Sequence, residues 1–78
     1  MQTFSVTLSS VTQVKTFVDA ATRCESEIDV HSGRYLIDAK SIMGIFSLDL
    51  AKPIGVTFHG SDAEAALFRQ EIAAFLCE

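Results

Sequence analysis

The spacing of apolar residues along this chain switches repeatedly between two and three-to-four, and no fold built from one type of element accommodates that. Phe4, Val6 and Leu8 alternate with Thr3, Ser5 and Thr7, which places three large apolar side chains on one face of a strand. Ser9 and Ser10 then offer cap hydroxyls to a segment in which Val11, Val14, Phe17, Val18 and Ala21 recur at helical spacing, so an amphipathic helix is expected to end near Arg23 or Cys24. Alternation returns with Ile28 and Val30 against Glu27, Asp29 and His31, and Tyr35-Leu36-Ile37 follows Ser32-Gly33-Arg34, a hairpin turning at Gly33. The stretch from Lys40 to Ser47 is apolar but short and fits a helix of about two turns capped by Ser41. Pro53 leads into a further strand on which Ile54, Val56 and Phe58 alternate. Ser61 and Glu64 match a capping box, and Ala65, Phe68, Ile72, Phe75 and Leu76 draw one stripe down a last helix. The expected order is β-α-β-β-α-β-α, an α+β two-layer sandwich with four strands and three helices on one sheet face.

With 78 residues and 8.5 kDa, such a chain buries only about 60% of its unfolded surface. One domain over residues 1–78 is expected, and the 49% apolar share argues against disorder. Ten acidic side chains oppose six basic ones that form no run, so the chain is not expected to bind nucleic acid. No window approaches the about 18 consecutive apolar residues of a membrane span, and Met-Gln-Thr-Phe-Ser-Val does not read as a signal peptide. The expectation is a cytoplasmic protein with no membrane partner. Cys24 and Cys77 have neither CxxC nor metal-ligand spacing, so no metal site is expected and buried or idle thiols fit them better.

Motifs of catalysis are absent: no H-E-x-x-H, G-x-S-x-G, G-x-G-x-x-G or Walker sequence occurs, and no cofactor is implied. His31 and His59 fall at polar phases of strands or their ends and read as surface histidines rather than acid/base groups. The carboxylates are dispersed, without a pair in an apolar setting. Between Lys40 and Leu50, however, Ile42, Met43, Ile45 and Phe46 crowd an element too short to bury all four. They form either a lid over the sheet edge or an exposed patch that docks a partner, and the spacing alone leaves both open. Leu67, nearly opposite the last helix stripe, is expected at the surface without a role.

Lys40-Ser41-Ile42-Met43-Gly44-Ile45-Phe46-Ser47-Leu48 resembles the regulatory serine and short helix of HPr, the small phosphocarrier of the bacterial sugar phosphotransferase system. The resemblance extends back through Ser26 to Val30 and Phe17-Val18, and forward through Ile54 to Phe58 and Gly60-Ser61-Asp62. It implies an open-faced β-sandwich, a four-stranded antiparallel sheet with three helices. In that family a histidine in an H-x-R-P setting opens the first helix and takes phosphate from Enzyme I. Aligned on Phe17-Val18, this chain has Ser10 at the histidine, Thr12 at the arginine and Gln13 at the proline, after a shortened loop.

A serine ester lacks the transfer potential of a phosphoimidazole, so the expectation is a non-catalytic HPr-like chain without phosphocarrier activity. The alternative is a phosphocarrier of the same system using a non-standard residue. The regulatory position survives as Ser41. In the family an HPr serine kinase/phosphorylase modifies it, and the product binds a LacI-type repressor in carbon catabolite control. The resemblance therefore implies a regulatory or adaptor role through phosphorylation of Ser41, with Lys40, Ile42, Met43 and Phe46 as partner-binding residues. A catabolite-repression paralogue in the family likewise keeps the serine and lacks the histidine. An antiparallel placement of the first and last helices would put Cys24 and Cys77 at opposite ends, with no disulfide between them.

Overall fold

Alternating segments form strands where one face meets a core, and in the computed structural model, which describes residues 1–77, the expected strands form, with the third contributing only the half-buried Ile37 to the core. They are β1 (Gln2–Val6), β2 (Ile28–Ser32), β3 (Tyr35–Asp38) and β4 (Ile54–Phe58). The helical segments form α1 (Val11–Thr22), α2 (Ile42–Phe46) and α3 (Asp62–Glu71). A fifth strand, β5 (Leu76–Cys77), completes an antiparallel sheet of order β3-β2-β4-β1-β5. Gly33 makes the β2–β3 turn at φ +59°, a conformation costly to any residue with a Cβ.

One face of the sheet carries Val6, Ile28, Val30, Ile54, Val56 and Phe58, all buried against Val14, Phe17, Val18 and Ala21 of α1 and Ala65 and Phe68 of α3. Four phenylalanines gather there: the Phe68 ring lies 5.6 Å from Phe58, 5.7 Å from Phe17 and 6.3 Å from Phe4. The opposite face is polar and without helices. Pairing puts Leu36, His31, Gly55 and Ser5 in one row across it and Asp38, Asp29, Thr57 and Thr3 in the next.

The C-terminal segment departs from the expected single helix. The apolar stripe is real as far as Ile72, which is fully buried, but α3 stops at Glu71 and the chain passes through a 3₁₀ turn (Ala73–Phe75) into β5. The outer edge of β1 decides this. Its free backbone groups pair Ser5 with Cys77 and Val6 with Leu76, and the Thr7 N–H donates to the Phe75 carbonyl at 2.8 Å. Cys77 therefore lies on a strand and not at a helix end. The capping box at α3 is also half formed: the Ser61 hydroxyl accepts from the Glu64 N–H, whereas the Glu64 carboxylate bonds the Ser26 hydroxyl.

α2 sits on the sheet through a close approach at Gly44. A Cβ there would stand 2.6 Å from the Ile37 methyl and 3.0 Å from Ser41 Oγ, and Ile37 is stiff at its branched Cβ. Gly44→Ala is expected to cost about 1–3 kcal/mol through this overpacking, measured as a lowered denaturant midpoint at unchanged m-value.

Candidate functional site

The start of α1 is held by its own side chains. Ser10 is the N-cap in extended conformation, and its hydroxyl accepts from the Gln13 N–H at 3.1 Å. The Gln13 carboxamide oxygen reaches back to accept from the Ser9 N–H at 2.8 Å and the Ser9 hydroxyl at 3.1 Å. Ser10 and Gln13, aligned with the histidine and proline of the resembled motif, thus close on each other as a helix cap. No basic side chain stands with them among the residues lining the adjoining groove.

That groove has a volume of about 500 Å³ and runs between the start of α1 and the end of α2, with Leu8, Val11, Phe46, Leu50 and Ala51 on its walls. Helical spacing puts Val11 on the buried stripe of α1, but it is 58% exposed. As the first helical residue it lines the groove together with Phe46 of α2. Leu50 and Ala51 were missed as well, because they follow α2 in an irregular segment where periodicity carries no information. The groove is apolar and joins the start of α1 to the end of α2.

On α2 the four apolar residues divide. Ile45 is fully buried, Ile42 is half-buried against the core, Phe46 is 40% exposed and Met43 is 78% exposed. The short helix both covers and exposes: Ile45 seals the core while Met43 and Phe46 face outward. Ser41 is the N-cap, half-buried, and its hydroxyl accepts from the Gly44 N–H at 3.2 Å. Lys40 stands directly before the Ser41 cap. Its ammonium donates to the Cys24 carbonyl at 2.8 Å just beyond the α1 C-terminus, where a cation meets the negative end of the helix, so it is engaged within the fold.

Neither histidine approaches the groove. The His59 ring Nε2 pairs with the Asp29 carboxylate at 2.8 Å, and the His31 ring lies across Gly55, both on the polar face of the sheet. Both thiols are free. Burial pushes the Cys24 thiol above its ordinary range, and the carboxylates of Glu64 and Glu71 add to that. A pKa raised on folding favours the protonated fold, so this contribution is whole below the ordinary thiol range and is lost as pH rises through the folded value. Cys24→Ala should therefore flatten the alkaline decline in stability, read from denaturation midpoints across that range.

Among the described residues no cluster of His, Cys, Asp or Glu could hold a metal, and no helix is long and apolar enough to cross a membrane. Residues 11–77 match the protein family described as PTS HPr component phosphorylation site. No curated protein matches the chain. Among solved structures, the phosphocarrier protein HPr from Bacillus anthracis str. Ames is 33% identical, with a TM-score of 0.69 over 97% of this chain and 96% of that one. HPr-C-His from Thermoanaerobacter tengcongensis is 23% identical, with a TM-score of 0.69 over 94% of this chain and 97% of that one, a likeness of fold. With the family match spanning residues 11–77, well over half of its length, this α+β chain belongs to the HPr family of the phosphotransferase system.

Proposed function

We propose that this chain is a regulatory or adaptor member of the HPr family that carries no phosphate on histidine and works through Ser41 and the apolar groove beside α2. The observation that carries this reading is the closed cap of Ser10 and Gln13 at the start of α1, with an apolar groove in place of a cationic pocket. Reversible transfer needs an imidazole nitrogen, a nearby cation and helix-start amides to hold a phosphoryl group. Here Ser10 offers a hydroxyl in place of the imidazole, and no basic side chain lines the groove beside it.

Ser41 supports the regulatory half. Its hydroxyl is half-buried at a helix cap, where an added phosphate would meet the amides of the first turn. Met43 and Phe46 are the exposed docking residues, with Ile42 beneath them. The proposed partners are an HPr serine kinase/phosphorylase and, for the phosphorylated form, a LacI-type repressor in carbon catabolite control.

Incubation with ATP and an HPr serine kinase/phosphorylase is expected to add one phosphate to the intact mass, and Ser41→Ala to abolish the gain. No gain would reduce Ser41 to a cap contributing about 1 kcal/mol. A parallel incubation with phosphoenolpyruvate and Enzyme I is expected to leave no acid-labile phosphate. Such phosphate on His31 or His59 would overturn the reading and establish a phosphocarrier using a non-standard residue.

A further inference from the structure

β3 is one edge of the sheet, and its outward backbone groups can be counted. The Ala39 N–H donates to the Ile28 carbonyl at 2.9 Å, and Ile37 and Tyr35 stand opposite Val30 and Ser32. In an antiparallel ladder the intervening residues point their groups away, so the N–H and carbonyl of Leu36 and the N–H of Asp38 face outward. The Asp38 carbonyl accepts from the Ser41 N–H at 3.0 Å. The sequence Arg34-Tyr35-Leu36-Ile37-Asp38 holds no proline or lysine of the kind that guards an edge, and Tyr35 and Leu36 are 65% and 69% exposed.

The same five residues are self-complementary. Laid antiparallel on a copy of itself with Leu36 opposite Leu36, β3 sets Tyr35 opposite Ile37 twice, and the turn residue Arg34, one position before the strand, comes beside Asp38 of the other copy at each end. Arg34 forms no ion pair among the described residues, and the Asp38 carboxylate accepts from the Lys40 backbone N–H at 2.9 Å without a cationic partner among them. Asp38 also stands directly opposite Asp29 on the polar face, a like-charge neighbour that an added cation would offset.

We propose that the β3 edge pairs with the β3 edge of a second copy of this chain about a two-fold axis at Leu36, with Arg34 of each copy facing Asp38 of the other. The pairing joins two five-stranded sheets into one and closes without leaving a repeat of the same edge free. Two reciprocal Leu36 N–H to Leu36 carbonyl bonds set the register. Tyr35 and Ile37 meet on the helix-bearing face, and the two Leu36 side chains meet on the polar face. The groove between α1 and α2 takes no part.

Sedimentation equilibrium of the full chain from micromolar to millimolar concentration is expected to show a monomer–dimer equilibrium. Arg34→Glu and Asp38→Lys should each raise the dimer Kd about tenfold or more, because two attractive pairs become repulsive. An equimolar mixture of the two variants should dimerise again, since in the mixed pair the substituted carboxylate of one chain faces the substituted ammonium of the other. Leu36→Pro should abolish the dimer while leaving the β2 ladder whole, and thermal melts confirm that each variant folds. A chain that stays monomeric throughout overturns the proposal and leaves this edge to a strand of another protein. A dimer whose Kd is unchanged in Arg34→Glu overturns it equally, by placing the contact elsewhere.

Discussion

Phe68→Ala is expected to bring this domain to the brink of unfolding, lowering the melting temperature by about 15 °C or more. Phe68 is 1% exposed and its ring touches those of Phe4, Phe17 and Phe58, so it ties α3 to β1, α1 and β4 at once. Truncating a buried phenylalanine costs about 3–5 kcal/mol, because the transfer free energy is lost and the three neighbouring rings cannot collapse into the space. Domains of this size hold stability near the low end of the roughly 5–15 kcal/mol range, so the loss consumes much of it. Leu67→Ala is the control. Leu67 is 65% exposed on the same helix, and its removal should shift stability by no more than about 0.5 kcal/mol. Circular dichroism melts of the two variants measure the difference, and near-equal midpoints would show that the aromatic cluster is not the keystone of the core.

The second large effect is on docking. Met43→Ser combined with Phe46→Ser should lower the melting temperature by no more than about 10 °C, since Met43 faces solvent and Phe46 is 40% exposed at the groove wall. If Ser41 is modified as proposed, the double variant should lower the rate at which an HPr serine kinase/phosphorylase adds phosphate by about tenfold or more, as removal of exposed apolar anchors does at an interface centre. Ile45→Ser lies on the same five-residue helix but replaces a side chain with no exposure, and should unfold the protein instead. An intact double variant that is modified at the parental rate would move the docking surface away from α2. An unfolded double variant would return these two side chains to the core.

Most elements of this fold were legible because their causes are local. A period of two over Ile54, Val56 and Phe58, or of three and four over Val14, Phe17, Val18 and Ala21, is the imprint of one buried face on a regular backbone. The caps at Ser10, Ser41 and Ser61 were legible for the same reason, since each hydroxyl serves an amide three residues on. So was the absence of a histidine at the start of α1, which only required reading the residues.

Where burial could be satisfied in two ways, the sequence was silent. Phe75 and Leu76 keep the helical spacing of Phe68 and Ile72, yet the free edge of β1 draws them into a turn and a strand. Lys40 is expected from its place beside Ser41 to balance an added charge, and nothing local shows that its ammonium also bonds a carbonyl at the end of α1, sixteen residues away in sequence. Val11 belongs by period to the buried stripe, but as the first residue of α1 it is exposed and lines the groove with Phe46 and Leu50. Local spacing determined which segments are strand or helix and which face of each is apolar. Only the tertiary structure decided which of those faces are covered and which edges are filled, because coverage depends on elements far apart in the chain and no single-segment periodicity encodes them.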